Sequence, residues 1–342
     1  MTAAFIPAGF DAILMGDESL TIACGDMLLT GGHRLPAVVT RDPAVRTWAE
    51  GKGLNVVEQP RDLIAAGITA DWLLSIANLR MIPADVLALP AKGAINFHDG
   101  PLPRYAGLNT PAWAIINGED SHGITWHVIE GGVDEGDILA QRMVQIAEDE
   151  TAFSLNSKCY AAGMESFADV VAQLESGLLQ RSAQDLTQRS YFARDDRPAN
   201  MGVLDFTQDA AGLSRLMRGL DFGGYWNPLT TPKLMAGDQA LVIGGLSGTD
   251  QTADCGVVLT VSADRITIGT ASAAVELSGI TTIDGAAVDL SRLFSAGDKI
   301  VPPALAPLPV KDEAFWRTAL AGADWMSCPL AGPASAEDGA DL

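Results

Sequence analysis

Basic residues are scarce in this chain: 22 lysines and arginines stand against 43 aspartates and glutamates, a formal net charge of -21. So acidic a chain lacks the positive footprint that a phosphate backbone requires, and no nucleic-acid partner is expected. The four cysteines, Cys24, Cys159, Cys255 and Cys328, fall in no CxxC or other ligand spacing. They read as small core residues in a reducing compartment, with neither a disulfide framework nor a metal site expected. There is no run of about 18 apolar residues and no charged-then-apolar leader, so the expectation is a cytoplasmic protein without a membrane partner. Gly16-Asp-Glu-Ser-Leu follows the first strand, where a dinucleotide-binding protein would carry G-x-G-x-x-G. That absence argues against NAD.

What is present is a folding pattern. The 342 residues, 48% of them hydrophobic, suffice for about two domains with real cores. Strands are expected at Asp11–Gly16, Leu35–Thr40, Leu54–Glu58, Asp71–Ile76 and Gly93–His98. Helices are expected between them over Ser19–Leu29, Pro43–Glu50 and Ala84–Leu89, and a long amphipathic one over Thr151–Gly177. This alternation predicts an α/β, Rossmann-like, mainly parallel sheet covered on both faces. The stretch Leu178 to Arg197 is polar and without periodicity, as in a linker. Beyond it come a helix at Ala210–Leu220 and short β-rich pieces at Ala240–Gly244, Gly256–Val261, Arg265–Gly269 and Ala274–Leu277. They predict a smaller, antiparallel, OB-like unit. The expected division is 1–180 for the first domain, 181–200 for the linker, 201–302 for the β-rich domain, and 303–342 for a proline-rich spacer and acidic tail.

The chemistry concentrates in Asn96-Phe-His98-Asp-Gly-Pro-Leu-Pro-Arg104-Tyr-Ala106 and in Val133-Asp134-Glu-Gly-Asp137-Ile-Leu. Residues two apart in a strand point to one side, so Asn96 and His98 would share a site at a strand's carboxyl end. An amine attacking an acyl carbon builds negative charge on oxygen and positive charge on nitrogen. Asn96 can donate to that oxygen, and His98 can exchange a proton with that nitrogen near neutral pH. Asp134, brought in by the fold, would stabilise the imidazolium or fix a water that relays the proton.

These blocks, with Ala112-Trp-Ala-Ile-Ile-Asn-Gly118 and Gly123-Ile-Thr-Trp126 between them, resemble the folate-dependent formyltransferases. The resemblance runs from about Asp11 to Ile300 and is dense between Asp71 and Leu139. It implies a formyltransferase fold, 10-formyltetrahydrofolate as co-substrate, and Asn96, His98 and Asp134 as catalytic residues. It also implies a folate site between the loop Leu79, Arg80, Met81 and Ile82 and the loop carrying Val133, Glu135 and Asp137. The β-rich part is similar to the C-terminal domain of the methionyl-tRNA and aminosugar members. The segment after the spacer, Asp312-Glu-Ala-Phe-Trp-Arg-Thr-Ala-Leu-Ala-Gly, resembles the opening of condensation domains of nonribosomal peptide synthetases.

The expected acceptor is therefore a primary amine, first an aminoacyl group tethered to a carrier domain. A carrier protein and a condensation domain would be its partners, with the chain as the initiating piece of a larger synthetase. The alternatives are a nucleotide-linked aminosugar as acceptor, or an inactive folate-binding and docking module, which the intact Asn96, His98 and Asp134 oppose.

Overall fold

The structure, a computed structural model, describes residues 9–302. The proline-rich spacer beyond 302, the condensation-like segment and Cys328 lie outside the described residues.

The first half is built as the apolar runs dictate. β1 (Asp11–Met15), α1 (Ser19–Thr30), β2 (Arg34–Val39), α2 (Pro43–Gly51), β3 (Val56–Val57), α3 (Asp62–Ala65), β4 (Ala70–Ser75), α4 (Ala84–Leu87) and β5 (Pro90–His98) follow in turn. Asp42 caps α2 by accepting from the N–H groups of Ala44 and Val45, with Pro43 supplying the fixed φ of a first helical position. Ala12, Ile13, Leu14 and Met15 are all fully buried, as befits a strand covered on both faces. Ile13, Met15, Ala37, Val39 and Leu73 pack on one side, while Ala12, Leu14, Val38 and Leu74 join a larger core on the other.

β6 (Ala106–Gly107), α5 (Thr110–Asn117), β7 (Ser121–Val128), β8 (Ile138–Gln145) and α6 (Ala152–Ser176) come next. One sheet has the order β3-β2-β1-β4-β5-β7-β8. It is parallel through β5, after which β7 and β8 run antiparallel. The alternation of strands and helices predicts the parallel part but not this reversal. β7 returns along β5 after the short α5, and β8 follows as a hairpin partner, so no crossover helix marks them. The capping box of Thr151 and Ser154 opens α6, and Gly177 in the left-handed conformation closes it.

The second half holds β9 (Tyr191–Phe192), α7 (Ala210–Gly219), the hairpin β10 (Lys233–Ala236) and β11 (Gln239–Val242), and then β12 (Gly245–Gly248), β13 (Val258–Val261), β14 (Arg265–Ile268) and β15 (Val275–Ser278). The last four form an antiparallel sheet in the order β12-β15-β14-β13. The larger core continues from α6 through Leu213 and Phe206 to Ile266 and Leu277. Gly219 of α7 lies so close to α5 that a β-carbon would collide with Ile116 and press on the Ala112 carbonyl.

Candidate active site

Asn96 and His98 end β5 at the carboxyl edge of the parallel strands. The return of β7 pairs Asn96 with His127 and His98 with Thr125. His127 belongs to the same cluster, and the residue-by-residue reading of the sequence missed it. The signal was present: of the four histidines, His98, His122 and His127 fall within thirty residues of one another, and His127 directly follows Gly123-Ile-Thr-Trp126.

The backbone fixes the proton positions on both rings. His98 Nε2 lies 2.6 Å from the carbonyl oxygen of Tyr105, which can only accept, so Nε2 carries a hydrogen. In the neutral ring Nδ1 is then the bare nitrogen. It faces Asp134 Oδ2 at 3.7 Å and Asp99 Oδ1 at 3.8 Å. His127 is held the other way round. Its Nδ1 lies 2.9 Å from the Val128 carbonyl and donates to it, leaving Nε2 to accept from Asn96 Nδ2 at 3.2 Å. The Asn96 amide is thereby oriented, with its second N–H unused by this contact.

Asp134 joins the cluster from the β7–β8 connection at a φ of 56°, in the left-handed region. Its Oδ2 accepts the Gly107 N–H at 2.9 Å, and Oδ1 lies 3.5 Å from His127 Nε2. Burial disfavours its charge, but His98 and His127 in their charged forms and the Gly107 N–H outweigh burial and hold the carboxyl down at about 2. The aspartate is thus an anion throughout the neutral range. Two glycines make the approach possible. At Gly100 a β-carbon would lie 2.6 Å from His98 Nε2 and 2.4 Å from the Tyr105 carbonyl; at Gly107, with φ 98°, it would lie 2.1 Å from the Phe192 carbonyl.

Behind His98, His122 Nε2 and Thr110 Oγ1 both donate to the Asp99 carbonyl, at 2.7 and 2.5 Å. Burial keeps His122 neutral, well below the usual imidazole range. It shapes the turn and does not face the cleft.

A cavity of about 820 Å³ opens over this cluster. Leu79, Arg80, Met81 and Ile82 line one side and Val133 the other, with Asn96, His98, His127 and Asp134 also among the lining residues. Leu79 and Met81 are 76% and 78% exposed, an apolar edge that a flat heterocycle would cover. Glu135 and Asp137, expected in the folate wall, are not among the residues lining this cleft. The tight turn aims them away: Glu135 accepts the Gly132 N–H at 3.0 Å, and Asp137 accepts from Arg181 Nε at 2.8 Å. Phe153, Tyr225 and Trp226 form a third, aromatic side, with the Phe153 and Tyr225 rings stacked 5.8 Å apart. Among the described residues no group of three histidine, cysteine, aspartate or glutamate side chains could hold a metal ion. No described helix is long and apolar enough to cross a membrane.

A family model described as formyl transferase matches residues 56–171. A methionyl-tRNA formyltransferase of Anaeromyxobacter dehalogenans is 32% identical over 226 residues, covering 60% of this chain and 71% of that protein. One from Geobacter metallireducens is 27% identical over 317 residues, covering 86% and 98%. Among solved structures, the N-formyltransferase from Helicobacter canadensis in complex with folinic acid and dTDP-3-aminofucose matches with a TM-score of 0.64 at 19% identity, covering 79% of this chain and 99% of that one. HypX from Aquifex aeolicus in complex with tetrahydrofolic acid matches with a TM-score of 0.57 at 17% identity, over 81% of this chain and 45% of that one. The sequence matches and the shared fold agree: the chain belongs to the folate-dependent formyltransferase family.

Proposed function

We propose that Asn96, His98 and Asp134 carry formyl transfer from 10-formyltetrahydrofolate to an aminoacyl group tethered to a carrier domain. The transfer itself, from folate to an amine, is the reaction of the family. The observation that carries the residue assignment is the fixed polarity of the cluster. Nε2 of His98 is committed to a backbone carbonyl, and its bare Nδ1 faces a permanent anion.

The folate supplies the formyl group and the nitrogen that leaves. Its pterin would lie against Leu79, Met81 and Ile82 on one side and Val133 on the other. As the amine bonds to the formyl carbon, Asn96 donates its second N–H to the oxygen gaining charge. Nδ1 of His98 takes the proton that the amine must lose, and Asp134 stabilises the resulting imidazolium. When the old carbon–nitrogen bond breaks, the same proton passes to the departing nitrogen. His127 fixes the Asn96 amide and takes no proton. The aromatic side, with Phe153, Tyr225 and Trp226, would line the approach of the acceptor.

Charge favours the carrier acceptor. Arg80 is the one arginine among the described residues lining the cleft, and no lysine is there. Arg80 is already engaged, 3.3 Å from Asp17 Oδ2 and donating to the Glu58 carbonyl at 3.0 Å. A nucleotide diphosphate would need cations that this cleft does not offer, whereas the phosphopantetheine arm of a carrier, one phosphodiester on a long neutral chain, would need at most one. The net charge of -21 opposes tRNA. A nucleotide-linked aminosugar is the second reading, favoured by the aminosugar nucleotide in the Helicobacter canadensis complex.

The test is a competition assay with aminoacyl-carrier protein, methionyl-tRNA and an aminosugar nucleotide at equal concentration. Formylation of the carrier-bound amine is expected to dominate. Transfer to the sugar alone overturns the carrier reading, and transfer to none, without binding of 5-formyltetrahydrofolate, overturns the activity.

A further inference from the structure

The segment from Ser182 to Phe192, polar and aperiodic in sequence, touches both halves of the candidate site. It starts as a β-bridge: Ile138 N–H donates to the Ser182 carbonyl at 2.8 Å, and Ser182 N–H to the Ile138 carbonyl at 2.9 Å. Gln184 then donates from Nε2 to the carbonyls of Asp134 at 2.9 Å and Gly136 at 2.7 Å. Both partners can only accept, so the amide is fixed with its nitrogen toward them. Arg189 Nη2 donates to the Val133 carbonyl at 2.9 Å, and its guanidinium lies 3.8 Å from Glu135 Oε1. Four successive residues of the Asp134 loop, Val133 to Gly136, are therefore held from one stretch of chain.

The same stretch continues to the other half. Ser190 Oγ accepts the Tyr105 N–H at 2.8 Å, and the Ser190 carbonyl accepts the Ala106 N–H at 2.9 Å. β9 then pairs with β6 in parallel, Ala106 with Tyr191 and Gly107 with Phe192. Tyr105 supplies the carbonyl that orients His98, and Gly107 the N–H that binds Asp134. Every backbone group that orients the His98–Asp134 pair lies within three residues of a contact with this segment.

Aspartate tolerates φ 56° better than most side chains, yet its backbone still favours the right-handed or extended regions. External bonds to its carbonyl decide the matter. Within the formyl-transfer reading given above, we propose that Gln184 is a positioning residue. By binding the carbonyls on either side of Glu135, it holds Asp134 against His98, and the segment is a strap on the active site as well as a connection between its flanking elements. It touches no reacting atom.

Gln184→Met keeps the length of the side chain and removes both donors; Gln184→Lys restores a donor there. In the full chain, Gln184→Met is expected to lower kcat about tenfold, the scale expected when a catalytic group is displaced by less than an ångström. KM for 10-formyltetrahydrofolate should stay within about threefold, and Gln184→Lys should recover most of the rate. Because the effect runs through Asp134, the same substitution in an Asp134→Asn background should cost less than about twofold. Hydrogen exchange of the 131–136 amides should rise about tenfold in Gln184→Met, with the β1 and β4 amides unchanged. An equal rate loss in both backgrounds, or no loss, overturns the proposal. If the unmodified protein formylates no amine, the activity reading fails, and exchange alone decides the strap. Unchanged exchange at 131–136 then overturns it.

Discussion

The two loops that face each other across the cleft are built by opposite means. The loop at Leu79–Ile82 presents two almost fully exposed apolar side chains and is tied down by Asn78 and Arg80 beneath them. The loop at Val133–Asp137 carries a side chain that is 11% exposed, and bonds from Gly107, Gln184 and Arg189 fix it. The first gains its stabilisation when a ligand covers it, through apolar area removed from water. The second is settled before any ligand arrives, as a charge must be if it is to act on a transition state without reorganising. On the proposed reading the exposed wall serves binding alone, while the fixed wall carries the charge and, through Val133, one face of the binding cleft.

The largest test of that division falls on the fixed wall. His98→Ala and Asp134→Asn should each lower kcat by about a hundredfold or more, the usual range for general acid–base groups. Titration with 5-formyltetrahydrofolate should show donor binding kept within a few-fold in both. Near wild-type turnover of His98→Ala with the true acceptor would remove the proton-transfer role. His127→Phe should act less severely, by about tenfold in kcat, because it frees the Asn96 amide without removing a proton carrier. A loss as large as that of His98→Ala would make His127 a proton carrier itself.

The charge on Asp134 also has a signature in stability. Its folded pKa of about 2 lies below the ordinary aspartate value of 3.8, so its contribution is present above about pH 4 and is lost as pH falls through about 2. At 1.36 kcal/mol per unit, the linkage is about 2 kcal/mol. Urea unfolding of the wild type and Asp134→Asn should therefore give a stability gap that narrows by about that amount between pH 4 and pH 2. A gap independent of pH would place the charge elsewhere. The smallest effect belongs to the exposed wall. Leu79→Ser with Met81→Ser should weaken donor binding by about tenfold or less, since each side chain contributes on the order of 1 kcal/mol on partial burial. The rate at saturating donor should hardly change.

What the sequence revealed, and what it hid, follows the same physics. The parallel strands were legible because each is an apolar run of its own length, and Asn96 and His98 because two residues apart on a strand share a face; the one-turn helix Asp62–Ala65 was too short to show a period and was not expected. β7 and β8 were not assigned as strands from their pattern. His122, Thr125 and His127 are buried in β7, so its polar residues do not mark a solvent face. The linker was legible only as polar. Its bonds go to carbonyls fifty residues away in sequence, and no local periodicity encodes them. Glu135 and Asp137 were placed in the folate wall by family resemblance, and a single tight turn directs them elsewhere.

The left-handed backbone at Asp134 sets chemistry and conformation at odds in one residue. Chemistry asks for a carboxylate, whereas the backbone would be most at ease with glycine, and next with asparagine. Alanine or valine at this position would lose the charge and keep the strain. A descendant of this chain released from catalysis would therefore drift at position 134 toward glycine or asparagine, the two residues that relieve the backbone. The identity of that one residue could then distinguish a working enzyme from a retired scaffold before any assay is run.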